Sequence, residues 1–162
     1  MLQPFDRMEV AMDEFMQATR IAESAHAGQV DKTGKPYVEH CRRVASRVDG
    51  SREKIVAMLH DVIEKSRGWD STRLLAEGFP PEIVSAVDAL SRRPGEDERD
   101  FIARAYSDSL ARPVKRADLE DNLMQARQSN GYAARYENGL QILDHLQEAE
   151  SQPGDPRSNM DP

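Results

Sequence analysis

The chain has 162 residues, a formal net charge of −7 at pH 7, and 38% hydrophobic against 31% charged residues. This length predicts one domain with a single core, and the acidic balance excludes the broad basic surface with which proteins bind nucleic-acid backbones. The longest apolar runs, such as 55–59, are far too short to cross a bilayer, so no membrane partner is expected.

The first predicted helix runs from Asp6 to Ala25, where apolar residues recur three and four positions apart, with Asp6 as its N-cap. Residues 28–35 contain two glycines and three charges, which predicts a loop. Pro36 then begins a second helix that runs to about Val48.

The second helix carries His40 on the same face as its apolar residues, so this histidine is expected to face the core. The segment 56–65 is predicted to be a helix that is apolar on nearly every side, yet it contains His60, Asp61 and Glu64. An ionised carboxylate is costly to bury without a partner. The adjacent histidine and aspartate therefore indicate a compensating cation, usually a metal.

Turns that contain glycine, proline or asparagine separate the remaining predicted helices, which cover 72–77, 81–90, 101–110, 114–128 and a last segment around 136–146. No strand is predicted, so the fold class is all-α, a compact helical bundle. Residues 150–162 lack periodicity and predict a disordered tail after a domain that spans 1–149.

Candidate nitrogen ligands are few, because the chain has only four histidines. His40 is the best placed to join His60 and Asp61. Asp118 and Asn122 stand four residues apart on one face of the helix at 114–128, so the second carboxylate ligand is sought there. Two imidazoles and two carboxylates form a mixed set that suits Mn²⁺, Fe²⁺ or Zn²⁺ and leaves positions open for water or substrate.

Four sequence blocks carry a family resemblance: AHAGQ at 25–29, GKPYVEH at 34–40, LHDVIE at 59–64 and VKRADLEDN at 114–122. In this order and spacing they resemble the HD-domain metal-dependent phosphohydrolases. The pattern is most similar to the hydrolase domain of RelA/SpoT enzymes and to small single-domain alarmone hydrolases.

The resemblance implies an all-α fold in which His40, His60, Asp61 and Asp118 hold one metal ion, commonly Mn²⁺. It also implies hydrolysis of a phosphate or pyrophosphate ester of a small phosphorylated nucleotide. For the alarmone (p)ppGpp, the family reaction removes the 3′ pyrophosphate. A metal suits this chemistry because it lowers the pKa of water and neutralises charge on the phosphate.

The same resemblance implies roles around the metal. Asp61 and Glu64 are the catalytic candidates, with Glu64 one helical turn away and able to orient the attacking water or take its proton. Lys32 is expected to meet phosphate, and Asn122 to contact the sugar or the metal ligands. Tyr37 is expected to shape the pocket.

Two positions depart from the alarmone hydrolase pattern. Lys65 stands where those enzymes have an aspartate. This change either weakens turnover or brings a cation to the substrate phosphate. Asp31 stands where they have an arginine that packs on the purine, so the stacking guanidinium is absent from this position.

Each site residue also has a simpler interpretation. The His-Asp pair could be hydrogen-bonded on a helix surface, and His40 could be a satisfied core histidine. Asp118 could belong to an exposed acidic run with Glu120 and Asp121, and Lys32 could be a solvated loop residue. The four sequence blocks together favour the metal site over these interpretations.

The other two histidines, His26 and His145, are expected to be structural. Cys41 is predicted to be a small buried residue rather than a nucleophile, because its inward helical position offers nothing that stabilises a thiolate. As the single cysteine it excludes an internal disulfide, and we expect a cytoplasmic protein.

Two other functions stay open at this stage. One is a nucleotidase or NADPH phosphatase that uses the same metal site. The other is a nucleotide-binding module with weakened turnover, a hypothesis that Lys65 motivates.

Overall fold

The computed structural model describes residues 4–152. Its helices are α1 (Pro4–Ala25), α2 (Tyr37–Ser46), α3 (Ser51–Leu59), α4 (Val62–Lys65), α5 (Ser71–Ala76), α6 (Pro81–Ala89), α7 (Glu98–Ser107), α8 (Ala111–Gln128) and α9 (Ala134–Ser151). Within this range the only β pairing is an isolated bridge between Val30 and Pro36. The predicted all-α bundle is confirmed.

Helix α3 lies at the centre of the main core. It packs against α1 and α2 and also contacts α6 and α8. Residues 55–59 are completely buried, as expected for a helix that is apolar on nearly every side. Each large aliphatic side chain buried there contributes about 1.5–3 kcal/mol, so α3 is a firmly packed support for the residues that follow it.

A smaller hydrophobic cluster joins α7, α8 and α9 through Ile102, Leu119 and Leu143. Gly139 permits this packing, because a Cβ atom there would lie 2.9 Å from Cδ2 of Leu119. The cluster holds α9 against α8, and the partly buried Tyr136 packs against it.

Several predicted helix ends were wrong by a few residues. Helix α1 already begins at Pro4, so Asp6 lies inside it and is not its N-cap. Helix α2 ends at Ser46 rather than near Val48, and α7 ends at Ser107. Local propensity defines helix ends poorly because the last turns depend on tertiary contacts.

The most consequential difference is a break in the segment 56–65, which was predicted as one continuous helix. Helix α3 ends at Leu59 and α4 begins at Val62. Between them Asp61 has φ −107° and ψ 1°, outside the helical region.

At the other end of the chain, α9 continues through Ser151 into the segment predicted as a tail. Residues 153–162 of that segment lie outside the described residues. No helix within 4–152 combines the length and the apolar character needed to cross a membrane.

Candidate metal centre

The break between α3 and α4 brings two adjacent side chains to one point. In a regular helix, neighbouring side chains point about 100° apart. Here His60 keeps helical dihedral angles at the end of α3, whereas Asp61 departs from them. As a result Nε2 of His60 lies 3.2 Å from Oδ2 of Asp61.

Two more side chains reach the same point from α2 and α8. Nε2 of His40 lies 3.3 Å from Oδ1 of Asp118 and 3.9 Å from Oδ2 of Asp61. The same Oδ1 atom lies 3.5 Å from Nε2 of His60. The structure thus brings together all four side chains that the sequence marked as candidate ligands.

Among His40, His60 and Asp61, these distances fit a shared divalent cation. Ligands held about 2.1 Å from a metal lie about 3 Å apart on neighbouring octahedral positions and about 4 Å apart on opposite ones. His40, His60 and Asp61 each offer one ligand atom within 4.8 Å of the others. Asp118 does not belong to this set of three; it is a fourth candidate because its Oδ1 atom is close to both imidazoles.

The imidazole tautomers also fit a metal. Nδ1 of His40 pairs with Oδ2 of Asp121 at 2.7 Å, and Nδ1 of His60 pairs with the carbonyl oxygen of Ala57 at 2.6 Å. When Nδ1–H is the donor in each ring, Nε2 carries the lone pair. Among the described residues, neither buried Nε2 atom has a hydrogen-bond partner, which leaves both lone pairs for a cation.

Electrostatics tie the same groups together. Burial lowers the pKa of His60, but the carboxylates of Asp61 and Asp118 outweigh burial and raise that pKa well above its usual range. Burial also lowers the pKa of His40, but the carboxylates of Asp118 and Asp121 outweigh burial, so the pKa of His40 is raised. The raised pKa values favour protonated imidazoles when no cation is bound, so a metal competes with protons at these rings.

A buried polar network supports the His40 imidazole. Asp121 is completely buried and accepts hydrogen bonds from Nε of Arg43 at 2.8 Å and from Nε2 of Gln125 at 2.6 Å. Asp121 therefore does not belong to an exposed acidic run, as one interpretation of the sequence had it. A carboxylate behind a histidine ligand fixes the ring and raises its basicity.

The two catalytic candidates have separate supports. The Tyr37 hydroxyl donates to Oδ2 of Asp61. Burial and the negative charge of Asp61 raise the pKa of Tyr37, so the hydroxyl stays protonated as a donor. Glu64 lines the cavity above the cluster and accepts a hydrogen bond from the backbone N–H of Arg92 at 2.9 Å.

The substrate-binding candidates line the same cavity as the cluster. Lys32 donates through Nζ to Oδ1 of Asn122, and Asn122 donates in turn to Oδ1 of Asp118 at 2.6 Å. Nζ of Lys65 lies 5.7 Å from the centre of the Tyr37 ring. The charge of Asp61 is the main cause that raises the pKa of Lys65, which keeps this amine cationic.

The cavity has a volume of about 280 Å³. Its buried floor contains the carboxylates of Asp61 and Asp118, and its exposed edge carries Lys32 and Arg135. Acidic residues at the floor suit a metal, and basic residues at the edge suit an anion. The cavity therefore combines a candidate metal site with a basic edge that suits an anionic ligand.

Sequence reasoning missed several residues of this site: Arg43, Lys115, Asp121 and Gln125 around the cluster, and Arg92, Arg135 and Tyr136 in the cavity wall. Spacing offered one usable signal. Asp118, Asp121 and Gln125 follow one another at intervals of three and four residues, which places them on one side of α8.

The other residues considered in the sequence analysis are not members of the cluster. His26 is buried beside Tyr37, with ring centroids 4.8 Å apart, while His145 is exposed. Burial raises the pKa of Cys41 to about 12, in agreement with an inert thiol. Asp31 is buried in the loop before α2, where it accepts a hydrogen bond from Arg43 at 2.8 Å.

Comparison with known proteins agrees with this geometry. Residues 18–118, more than half of the chain, match the model of the HD domain family. A comparison with curated proteins gave no match. The solved structure of a metazoan ortholog of SpoT, which hydrolyzes ppGpp and plays a role in starvation responses, has a TM-score of 0.65 and 22% identity, covering 83% of this chain and 84% of that one.

At this identity the structural likeness supports the fold, and the match to the family model establishes membership. The matched residues begin in α1 and end at Asp118, so they include all four candidate ligands. The chain belongs to the HD-domain family, and the predicted family resemblance is confirmed.

Proposed function

We propose that this protein hydrolyses a phosphate or pyrophosphate ester of a nucleotide, with (p)ppGpp as the leading substrate and Mn²⁺ as the metal. The observation that carries the proposal is the convergence of His40, His60, Asp61 and Asp118 beneath a cavity with basic residues at its edge. The ppGpp hydrolysis of the metazoan structural neighbour supports the choice of substrate.

The floor of the cavity would carry the chemistry. A bound divalent cation supplies Lewis acidity there, which lowers the pKa of water and neutralises charge on the phosphate. Asp61 presents an oxygen whose orientation Tyr37 fixes by hydrogen bonding. Glu64, held by the N–H of Arg92, takes a proton from the attacking water.

The cavity wall would orient the substrate. Lys32 and Lys65 offer cationic amines to phosphate oxygens from the loop before α2 and from α4. Asn122 links Lys32 to Asp118, so a phosphate held by Lys32 stays aligned with the metal cluster. Such alignment lowers the barrier because the reacting groups meet without further loss of orientational freedom.

A metal analysis combined with a substrate panel tests the proposal. The protein is stripped of metal, reconstituted with Mn²⁺, and offered (p)ppGpp, common nucleotides and NADPH. We expect release of pyrophosphate from (p)ppGpp by the wild type, and loss of both bound metal and turnover in His60→Ala. The matched control is His145→Ala, since that histidine is exposed on α9. Failure of reconstituted wild type to hydrolyse any compound would refute the proposal.

A second enzyme function uses the same site on another nucleotide, as a nucleotidase or an NADPH phosphatase. Asp31 favours this function, because the alarmone hydrolases have a purine-stacking arginine at this position. Here the Asp31 carboxylate instead accepts hydrogen bonds from Thr33 in its own loop and from Arg43. Relative kcat/KM values across the same panel separate the two functions. A preference for NADPH or a nucleoside monophosphate over (p)ppGpp would favour the second.

A nucleotide-binding module with weak turnover is the candidate from a different class. Lys65 favours it, because its amine adds positive charge beside Glu64, 4.0 Å from Oε1 of the carboxylate expected to take the proton. Tight binding of (p)ppGpp without phosphate release, together with release restored by Lys65→Asp, would support this function. Turnover by the wild type would exclude it.

The choice of Mn²⁺ and a cytoplasmic location are predictions of their own. Two nitrogen and two oxygen donors also suit Fe²⁺ or Zn²⁺, so reconstitution with each ion decides the metal. The expected location rests on the single cysteine, which cannot form an internal disulfide, and fractionation of cells tests it.

A further inference from the structure

The loop before α2, residues 28–36, is here called the Lys32 loop. One oxygen of Asp31 organises this loop from within: Oδ1 accepts hydrogen bonds from the backbone N–H of Thr33 at 2.9 Å and of Lys35 at 3.1 Å. The other oxygen, Oδ2, accepts from Nη2 of Arg43 at 2.8 Å. The same aspartate thus shapes the loop and attaches it to α2.

Arg43 continues this connection to the metal cluster. Its Nε donates to Oδ1 of Asp121 at 2.8 Å, and its Nη2 donates to Oδ2 of Asp121 at 3.1 Å. Oδ2 of Asp121 pairs at 2.7 Å with Nδ1 of His40, the ring whose Nε2 faces the cluster. One guanidinium therefore joins the Lys32 loop to a candidate metal ligand through a single intervening carboxylate.

Two shorter links run in parallel. The backbone N–H of Lys32 donates to Oε1 of Gln125 at 3.1 Å, and Nε2 of Gln125 donates to Asp121. The side chain of Lys32 donates to Asn122, which donates to Asp118. The loop that carries Lys32 is therefore bonded on three routes to groups that hold or orient the candidate ligands.

We propose that Arg43 is a positioning residue that couples divalent-metal binding at the cluster to the conformation of the Lys32 loop. The proposal rests on the proposed metal site, and it adds that the bound metal and the Lys32 loop stabilise each other. Arg43 suits this role because it lies between two buried carboxylates, Asp31 and Asp121. Its planar fork reaches both, which a lysine ammonium at the same position cannot do.

The coupling has to be reciprocal, because a metal that stabilises the loop must bind more tightly when the loop is formed. Metal binding fixes the His40 ring and, through it, Asp121 and Arg43. Loss of the Asp31 link should weaken the metal even though Asp31 contacts none of the four candidate ligands among the described hydrogen bonds.

Hydrogen exchange and metal titration on the full chain test the coupling. Exchange of the backbone amides of Lys32, Thr33 and Lys35 is measured in EDTA and in saturating Mn²⁺, and the Kd for Mn²⁺ is measured by titration of the metal-free protein. We expect Mn²⁺ to slow exchange in the wild type. In Asp31→Asn and in Arg43→Lys we expect the Kd for Mn²⁺ to rise about tenfold and the metal-dependent protection to disappear.

Arg42→Lys is the matched control. Arg42 neighbours Arg43 on α2 but is exposed and pairs with Glu23, so this variant should behave as the wild type in both measurements. A merely structural role for Arg43 would lower thermal stability equally with and without Mn²⁺ and leave the Kd unchanged. That result would overturn the coupling. Amide exchange in the wild type that is equally fast in EDTA and in Mn²⁺ would overturn it as well.

The proposed coupling and the proposed hydrolysis can be refuted independently of each other. Turnover without metal-dependent protection of the loop would overturn the coupling and leave the hydrolysis intact. Protection of the loop without turnover of any substrate would support the coupling and refute the hydrolysis. Asp31→Asn preserves the size of the side chain, so it provides the test if Arg43→Lys fails to fold.

Discussion

Nζ of Lys115 donates to Oδ2 of Asp118 at 3.2 Å, on the opposite oxygen from the one that faces the imidazoles. Both side chains are buried, and the Lys115 amine also lies 4.3 Å from the centre of the Phe101 ring. Burial raises the pKa of Asp118, but the charge of Lys115, followed by the hydrogen bonds with the imidazoles, outweighs burial and lowers that pKa well below its usual range. Asp118 is thus held ionised by a lysine on one side and presented to the cluster on the other.

Replacing Lys115 should therefore affect the metal-free protein most. Lys115→Met removes the ammonium partner of the buried Asp118 carboxylate and leaves only the imidazoles of His40 and His60 beside it, which should lower the free energy of unfolding by about 2 kcal/mol in EDTA. Bound Mn²⁺ supplies the missing charge, so the loss should shrink in its presence. Urea unfolding with and without Mn²⁺ measures both values, with the exposed Lys35→Met as control. An equal loss under both conditions would contradict this role.

Glu64→Gln should separate proton transfer from structure. The amide oxygen of glutamine can still accept the hydrogen bond from the N–H of Arg92, so the local fold should persist. Glutamine cannot take a proton, and we expect kcat to fall by about 10²- to 10⁴-fold with an unchanged melting temperature and Mn²⁺ affinity. Steady-state kinetics on the best substrate of the panel provide the measurement. The control is Glu82→Gln, at an exposed position on α6. A kcat within twofold of wild type for Glu64→Gln would exclude Glu64 as the base.

Asp31 should make the protein sensitive to acid. Burial raises its pKa, but hydrogen bonds from Arg43, Thr33 and the loop amides outweigh burial and lower it from 3.8 to about 2. Because the folded pKa is the lower one, ionised Asp31 stabilises the fold above about pH 4, and this stabilisation is lost as the pH falls toward 2.

The corresponding free energy is about 2 kcal/mol. Asp31→Asn should lower the free energy of unfolding by about that amount at pH 7 and by less at pH 3. Urea unfolding across this pH range measures the difference, with the exposed Asp49→Asn as control. Curves for wild type and Asp31→Asn that stay parallel from pH 7 to pH 3 would show that Asp31 contributes no such linkage.

Much of the fold was predictable because helical periodicity depends on residue type alone. The apolar residues 55–59 identified the buried central helix, and His40 could be placed inward by its neighbours. The buried His60–Asp61 pair and the spacing of Asp118 indicated the other candidate ligands, and the family pattern agreed with them. The structure brings the side chains of His40, His60, Asp61 and Asp118 together.

The supports of the site were not predictable in the same way. The turn at Asp61 interrupts a segment whose residue pattern is helical throughout, so only tertiary packing reveals it. Asp121 is acidic, and acidic residues are mostly exposed. Its burial depends on Arg43, which lies 78 positions earlier in the chain, and periodicity within α8 carries no information about that partner.

Binding of Mn²⁺ should depend strongly on pH. Despite burial, the carboxylates of Asp61 and Asp118 raise the pKa of His60, and those of Asp118 and Asp121 raise that of His40. Without metal, protonated imidazoles stabilise the fold; this contribution is complete below the unfolded pKa of about 6.5 and is lost as the pH rises through the raised folded values.

Mn²⁺ competes with these protons, so its affinity should rise with pH, by up to about tenfold per pH unit for each proton displaced. Calorimetric titration in two buffers of different ionisation enthalpy counts the protons released. We expect one to two protons at pH 7 in the wild type and fewer in His40→Gln, which has no titrating ring at this position. Titration of His145→Gln serves as the control, because that exposed histidine lies apart from the cluster. Mn²⁺ binding that releases no proton at pH 7 would mean that the imidazoles are already neutral, or that the metal binds elsewhere.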